Sequence, residues 1–217
     1  MKKLVIFDLD GTLIDTLEDL KNAVNHALIQ QNLPKKSKEH VRISIGNGVN
    51  KLVARCMENG EDNPLYLTVL NDFRKYYSEH SLDNTFPYPG IDKVLKELKS
   101  NNYLLAVCTN KVDSIAKDII NGFFPRMFDY IQGDVDYLKK KPAKDMVEHI
   151  LHQLNINKDE CVYIGDTNVD EETALNSDID YIIVDYGYRT TEELKKQCPT
   201  ANISSMSNLV DNIKRLG

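Results

Sequence analysis

The chain has 217 residues, of which 41% are hydrophobic, and a formal net charge of −6. This length suffices for one sizeable domain or for a domain with an insertion, and the acidic balance argues against a nucleic-acid partner. No apolar run approaches the roughly 18 residues of a membrane helix, and the run after Lys3 is too short for a signal peptide. Four widely spaced cysteines without a CxxC pair indicate reduced thiols. We therefore expect a cytoplasmic protein that binds neither nucleic acid nor membrane.

Short apolar runs, typical of strands buried on both faces, alternate with helical patterns along most of the chain. Such alternation predicts βαβ units and a parallel sheet covered by helices. The predicted strands are Leu4–Phe7, Leu104–Cys108, Phe128–Gln132, Cys161–Ile164 and Tyr181–Val184, and the helical patterns cover residues 91–102, 112–123 and 142–154.

The stretch from Thr16 to Tyr88 is different, because it shows helical periodicity and no convincing strand. Its clearest helical patterns cover residues 17–31 and 65–80. We predict an α/β fold in which residues 1–15 and 89–217 form a Rossmann-like core with a parallel sheet, and residues 16–88 form an inserted small helical cap domain. Ligands of open parallel sheets bind beyond the carboxyl ends of the strands. A cap that leaves the core at that edge can serve as a lid.

Pairs of carboxylates follow two of the predicted strands. Asp8 and Asp10 come directly after the first strand and point the same way in extended backbone. Asp166 and Asp170 follow the strand at 161–164. Any one of them could be a helix N-cap, but four like charges at one sheet edge would raise their pKa values and destabilise the fold without a cation. No histidine or cysteine lies beside them to suggest zinc, so Mg²⁺ is the expected ion.

Other polar residues are expected at the same edge. Thr109 and Asn110 follow the second strand, and Lys141 ends a run of three lysines before Pro142. A lysine run is usually a solvated basic patch, and the place of Lys141 before a proline and a helix sets it apart. Gly11 has no Cβ, so the backbone can approach a phosphoryl group there, and successive N–H groups can bind it.

Taken in order, these residues resemble the four motifs of the haloacid dehalogenase superfamily: DLDGT at 8–12, TN at 109–110, Lys141 before Pro142, and GDTNVD at 165–170. The resemblance extends over nearly the full chain, including the cap, and is greatest to the phosphoglycolate phosphatases of that superfamily. IGNGVNKLVARCM at 45–57 is similar to their cap segment. The resemblance implies a Mg²⁺-dependent phosphatase that hydrolyses a small phosphomonoester, phosphoglycolate, through an aspartyl-phosphate intermediate.

The resemblance also implies a role for each motif residue. Asp8 would be the nucleophile and a Mg²⁺ ligand. Asp10 would be the general acid and base, with its backbone carbonyl at the metal. Phosphate would be bound by Gly11, Thr109, Asn110 and Lys141. Lys141 would also neutralise charge in catalysis. Asp166 would complete the metal site, and Asp170 would support it.

Elementary chemistry agrees with these roles. A carboxylate attacks a dianionic phosphoryl group only if cations shield the charge, which Mg²⁺ and Lys141 would do. The departing alkoxide needs a proton, and a carboxyl group two residues from the nucleophile is within reach to give it. The same carboxyl can then activate the water that cleaves the aspartyl-phosphate.

The cap carries weaker candidates for substrate binding. The GNG sequence formed by Gly46, Asn47 and Gly48 is by itself most often a loop, but it lies at the start of a helical pattern where it could face the substrate. A small carboxylated substrate needs a cationic partner, since guanidinium and ammonium groups bind carboxylates. The candidates are Arg42, Lys51 and Arg55, each of which could instead be a surface charge.

Two departures from the phosphoglycolate phosphatase pattern leave the motif residues intact. Ala143 stands where these enzymes usually have a second proline, and Asn176–Asp178 where they usually have an Ala-Gly pair. A sugar phosphomutase or an inorganic pyrophosphatase of the same superfamily would share every motif residue. A phosphoacceptor signalling domain also has an acidic Mg²⁺ pocket on a parallel sheet, but its acidic pair and acceptor aspartate lie on separate strands and no helical lid is inserted. We expect a small phosphorylated metabolite as the partner, and a monomer or homodimer.

Overall fold

The computed structural model describes residues 1–217, which form eight strands and ten α-helices. The strands are β1 (Leu4–Phe7), β2 (Ile14–Asp15), β3 (Phe86–Pro87), β4 (Leu104–Val112), β5 (Tyr130–Asp134), β6 (Cys161–Gly165), β7 (Asp180–Val184) and β8 (Ile203–Ser204). The helices are α1 (Leu17–Gln30), α2 (Lys38–Ser44), α3 (Val49–Arg55), α4 (Tyr66–His80), α5 (Ile91–Ser100), α6 (Asp113–Phe123), α7 (Asp145–Leu154), α8 (Asn168–Ser177), α9 (Thr191–Gln197) and α10 (Leu209–Arg215).

The chain divides into two units. The sheet unit consists of Met1–Ile14 and Pro87–Gly217, and the helical unit of Asp15–Phe86. Strands β2 and β3, where the chain passes from one unit to the other, form a two-stranded sheet of their own. None of the ten helices has the length and apolar character needed to cross a bilayer.

The sheet unit is built on one six-stranded sheet in the order β5-β4-β1-β6-β7-β8, with every neighbouring pair parallel. Successive residues of β1 face opposite sides of this sheet. Val5 and Phe7 pack in a core with residues of α5, α6 and α10, whereas Leu4 and Ile6 pack in a second core with residues of α7 and α8. The predicted α/β fold, a parallel sheet between two helical layers, is confirmed.

Two strand boundaries differ from the predicted ones. The strand predicted to end at Cys108 continues to Val112, because its pairing with β5 resumes after an irregularity. The strand predicted at 128–132 runs instead from Tyr130 to Asp134. Its start is displaced because the Asp129 carboxylate accepts the Leu105 N–H at 2.7 Å, where a continuing ladder would use a backbone carbonyl. Strand β8 was not predicted, since two residues carry no periodic signal.

The helical unit has its own core, in which α1 packs against α4 through apolar residues spaced at helical intervals. Val24 and Leu28 of α1 and Val69 and Phe73 of α4 are all buried. One buried carboxylate, that of Asp19, accepts hydrogen bonds from both Asn84 nitrogens and from Thr85 Oγ1. These bonds satisfy the charge inside the unit and fix the segment that precedes β3 onto α1.

Candidate active site

The carboxyl ends of β1, β4 and β6 bring the sequence-predicted residues of the sheet unit to one edge. Asp8 is the first residue after β1, and its N–H donates to the Ile164 carbonyl of β6 at 2.8 Å. Thr109 and Asn110 lie near the end of β4, where its pairing with β5 is interrupted, and Asp166 follows β6 directly. Neighbouring parallel strands end together, so residues from distant parts of the sequence form one cluster.

Lys141 lies at the centre of this cluster. Its Nζ atom is 2.8 Å from Asp8 Oδ1, 2.8 Å from Asp170 Oδ1 and 3.1 Å from the Tyr163 hydroxyl. Burial alone would lower the pKa of Lys141, but the Asp170 and Asp8 carboxylates raise it above its ordinary value. The side chain is therefore a fixed positive charge that joins the end of β1 to the start of α8.

Asn110 determines where Lys141 lies. The Asn110 side chain accepts a hydrogen bond from the Lys141 N–H at 2.9 Å and donates one to the Lys141 carbonyl at 3.0 Å. Both bonds go to the backbone of Lys141. Asn110, predicted to bind phosphate, thus has a positioning contact that the sequence did not indicate. Thr109 is buried at the same strand end, with its Oγ1 accepting the Lys111 N–H at 3.3 Å.

Both carboxylate oxygens of Asp170 accept hydrogen bonds. Its Oδ1 accepts from Lys141, and its Oδ2 accepts from the N–H groups of Asp166 and Thr167 and from Thr167 Oγ1 at 2.8 Å. With both oxygens engaged, this side chain fixes the turn between β6 and α8. Asp166 Oδ2 in turn accepts the N–H of Tyr188 at 2.8 Å.

Negatively charged side chains outnumber positively charged ones in this cluster. Asp8, Asp166 and Asp170 are all buried, with one oxygen of each within 4.8 Å of the others. Burial raises the pKa of Asp8 to about 7 despite the opposing effect of Lys141. Burial, reinforced by the Asp170 and Asp8 charges, raises the pKa of Asp166 well above its ordinary value. A divalent cation would remove this excess negative charge, and an all-oxygen donor set suits Mg²⁺. Asp8 and Asp166 have the oxygens to hold it.

Gly11 is required by the packing of the same cluster. Its φ is +89°, and a Cβ atom there would lie 2.3 Å from Asp166 Oδ2. Any side chain would push the Asp166 carboxylate away. The glycine therefore lets the turn after β1 lie directly against a candidate metal ligand.

Three residues near the cluster were not predicted from the sequence. Lys111 is buried, with its Nζ 3.0 Å from Asp10 Oδ1. Tyr163 is fully buried within β6, and its hydroxyl donates to the Cys108 carbonyl at 3.1 Å. Arg189 is also buried, and its charge lowers the pKa of Asp166. Lys111 stands next to the TN motif and could have been considered. Tyr163 reads as an ordinary core residue, and nothing in the sequence singles out Arg189.

The candidate residues of the helical unit are paired within that unit. Arg42 donates to both carboxylate oxygens of Glu39, at 2.8 and 2.6 Å. Lys51 lies 2.9 Å from Glu61 Oε1. Arg55 donates to the Ser44 carbonyl at 2.8 Å and to Asn47 Oδ1 at 2.6 Å, so it holds the GNG loop. Within that loop both Gly46 and Gly48 have positive φ, at 132° and 80°.

Comparison with known proteins gives consistent results over nearly the whole chain. The family of haloacid dehalogenase-like hydrolases matches residues 5–184. The phosphoglycolate phosphatase of Psychrobacter arcticus is 33% identical over 218 residues, which cover 97% of this chain and 95% of the relative. That of Aquifex aeolicus is 32% identical over 211 residues, covering 96% and 95%. A solved structure from Lactobacillus delbrueckii subsp. bulgaricus, provisionally described as a phosphoglycolate phosphatase, has a TM-score of 0.93 and 31% identity, covering 98% of this chain and 99% of its own.

Proposed function

This chain belongs to the haloacid dehalogenase-like hydrolase family, and we propose that within it the chain is a Mg²⁺-dependent phosphatase acting on phosphoglycolate. It is a phosphoric monoester hydrolase, as are the phosphoglycolate phosphatases to which it is similar over nearly their full length. The observation that carries the mechanistic part is the buried ammonium of Lys141, 2.8 Å from both Asp8 and Asp170.

The first chemical step uses Asp8 as the nucleophile. A carboxylate oxygen of Asp8 forms a bond to phosphorus while the bond from phosphorus to the leaving oxygen breaks, which gives an aspartyl-phosphate. Lys141 opposes the effect of burial on the pKa of Asp8, so it favours the ionised carboxylate, and it offers positive charge to the phosphoryl oxygens. Mg²⁺ on Asp8 and Asp166 would supply the further positive charge that a phosphoryl dianion requires.

Asp10 handles the proton in both steps. In the first it gives a proton to the leaving alkoxide, and in the second it accepts one from the water that attacks the aspartyl-phosphate. The water oxygen becomes part of inorganic phosphate, and the Asp8 carboxylate is restored. Lys111, whose ammonium lies 3.0 Å from Asp10 Oδ1, holds this side chain in one orientation.

Phosphate release from a panel of phosphorylated metabolites tests the proposal. The panel includes phosphoglycolate, several sugar phosphates and pyrophosphate, each with Mg²⁺, with chelator, and with excess Ca²⁺. We expect the highest kcat/KM for phosphoglycolate, no turnover in chelator, and inhibition by Ca²⁺, because the larger ion takes more ligands and can occupy both oxygens of Asp8. Preferential pyrophosphate cleavage, or interconversion of sugar phosphates without net phosphate release, would replace the substrate assignment with one of the two alternatives. Full activity in chelator would rule out the proposed requirement for Mg²⁺.

A further inference from the structure

The helical unit contains a basic pocket that the catalytic proposal does not use. It has a volume of about 590 Å³ and is bordered by α1, by the loop after it, and by α4. Four lysines line it, and no carboxylate does. They are Lys21, Lys35, Lys36 and Lys38. In a chain with 33 acidic and 27 basic residues, such a concentration of one sign is a local exception that needs an explanation.

Much of this positive charge is uncompensated. Glu18, outside the pocket lining, pairs with Lys21 and lies 3.4 Å from the Lys38 ammonium. Lys35 and Lys36 form no ion pair. Like charges gathered in one concavity repel each other. An anion that enters the pocket therefore lowers the electrostatic free energy of the four lysines.

The loop that carries Lys35 and Lys36 is held in place. Asn25 of α1 accepts the Lys36 N–H at 2.7 Å and donates to the Lys36 carbonyl at 3.0 Å. Nearer the helix end, the Leu33 N–H donates to the Leu28 carbonyl at 2.9 Å. Elsewhere in the lining the His26 ring stacks on Tyr76, with 4.2 Å between ring centroids. The backbone that carries Lys35 and Lys36 is thus ordered before any ligand binds, which lowers the entropic cost of binding.

We propose that this pocket binds a small molecule carrying at least two phosphate groups. The pocket is lined by lysines and no arginine. Ammonium groups bind phosphate oxygens as point charges without a fixed geometry, so several lysines in one pocket suit a ligand that carries more than one phosphate. An overall acidic chain disfavours a nucleic acid or an anionic membrane as the occupant, since long-range repulsion opposes both.

Calorimetric titration with methylenediphosphonate, a bisphosphonate that cannot be hydrolysed, tests this site. The titration is run in chelator at fixed ionic strength, where the metal-free carboxylate cluster of the sheet unit repels anions. We expect one-site binding that Lys35→Gln/Lys36→Gln weakens by about 10-fold or more, because charge-assisted contacts are lost. Methylphosphonate, with a single phosphonate group, should bind at least about 10-fold more weakly than the bisphosphonate. Amide resonances of Asn25 and Lys36 should shift during the same titration.

A control of equal charge change is available on α9, where Lys195 and Lys196 are adjacent and both exposed. Lys195→Gln/Lys196→Gln changes the net charge equally and should leave the affinity unchanged. If the two double variants weaken binding equally, the loss of affinity comes from the change in net charge and not from this pocket, which would overturn the proposal. So would loss of binding in Asp8→Asn, which would place the ligand in the catalytic cluster. Absence of both heat and resonance shifts, or binding only to phosphatidylserine vesicles, would also overturn it.

Discussion

The charged groups at the carboxyl edge of the sheet are buried, whereas those around the GNG loop of the helical unit are largely exposed to solvent. At the sheet edge the side chains of Lys141 and Asp170 are 2% and 1% exposed, so each charge depends on a specific partner. In the helical unit the side chains of Lys51 and Glu61 are 55% and 47% exposed, and water screens the pair. Breaking a buried pair costs roughly 3–5 kcal/mol, whereas an exposed pair contributes about 0–1 kcal/mol.

This difference decides how far function can be assigned to each region. A buried ammonium between two carboxylates has few arrangements that avoid a large desolvation penalty, so its geometry is informative about chemistry. An exposed arginine or lysine can exchange partners at little cost. The pairing of Lys51 with Glu61 therefore does not prevent this cation from binding a substrate carboxylate, whereas Arg42, whose side chain is 16% exposed, is held more firmly by Glu39. Substitutions should accordingly have large effects at the sheet edge and smaller ones in the helical unit.

Asp8→Asn should have the largest effect. An amide is a very poor nucleophile, so turnover of phosphoglycolate should fall by about 10⁴-fold or more. The fold should persist, because the substitution preserves shape and removes one of three clustered negative charges. Steady-state phosphate release and circular dichroism measure the two quantities. Turnover within about 10-fold of the unsubstituted protein would rule out Asp8 as the nucleophile.

Asp10→Asn should have an effect that depends on the leaving group. Loss of a general acid costs about 10²–10⁴-fold for an alkyl phosphate such as phosphoglycolate. p-Nitrophenyl phosphate, whose leaving group needs little protonation, should be affected less in its first step. Burst kinetics with this substrate separate the first step from hydrolysis of the intermediate, which also needs Asp10. Equal losses in the first step for both substrates would argue against Asp10 as the acid.

Replacing a cation of the helical unit should change substrate affinity. Among Arg42, Lys51 and Arg55, the last should matter most, since it also holds Asn47 of the GNG loop. Arg55→Met should raise the KM for phosphoglycolate by about 10-fold, as expected for the loss of one charge-assisted contact. The kinetics of p-nitrophenyl phosphate, which has no carboxylate, should change little.

Lys75→Met is the matched control for that experiment. Lys75 is an exposed cation of α4 in the same unit, outside both the GNG loop and the basic pocket. It should leave both substrates unaffected. If Met at each of the three candidate positions leaves the KM for phosphoglycolate unchanged, the helical unit does not recognise a substrate carboxylate through these residues.

The smallest expected effect is on stability without metal. The pKa of Asp8 is raised to about 7, and that of Asp166 is raised too. The folded state therefore binds more protons than the unfolded state above about pH 4, and stability falls as pH rises toward 7. In chelator, Tm should be lower at pH 8 than at pH 5, and Asp8→Asn should reduce this slope. Mg²⁺ should raise Tm more at pH 8, where the carboxylates are ionised. A Tm that rises with pH in chelator would contradict these shifts.

The sequence was informative where local chemistry is unusual. Carboxylates directly after β1 and β6 are costly in a buried strand end, and this cost is what made Asp8 and Asp166 recognisable. The continuation of β4 through Thr109 and Asn110 was missed, because polar residues in a strand look like its end. The contact of Lys111 with Asp10 joins residues 101 positions apart and has no local signal. Tyr163 was not recognised as part of the site, because an aromatic residue is ordinary in a buried strand and carries no functional signal.

Chemical trapping of the intermediate tests the central claim most directly. The protein is mixed with phosphoglycolate and Mg²⁺, quenched, and reduced with borohydride, which converts an aspartyl-phosphate to homoserine. Mass spectrometry of the N-terminal peptide should then find homoserine at position 8 and aspartate at position 10. Asp8→Asn should give no reduced product anywhere in the chain. Homoserine at another aspartate would contradict the assignment of Asp8 as the residue that accepts the phosphoryl group. So would its absence from position 8 in Asp10→Asn mixed with p-nitrophenyl phosphate, whose first step needs little protonation while hydrolysis of the intermediate is slowed.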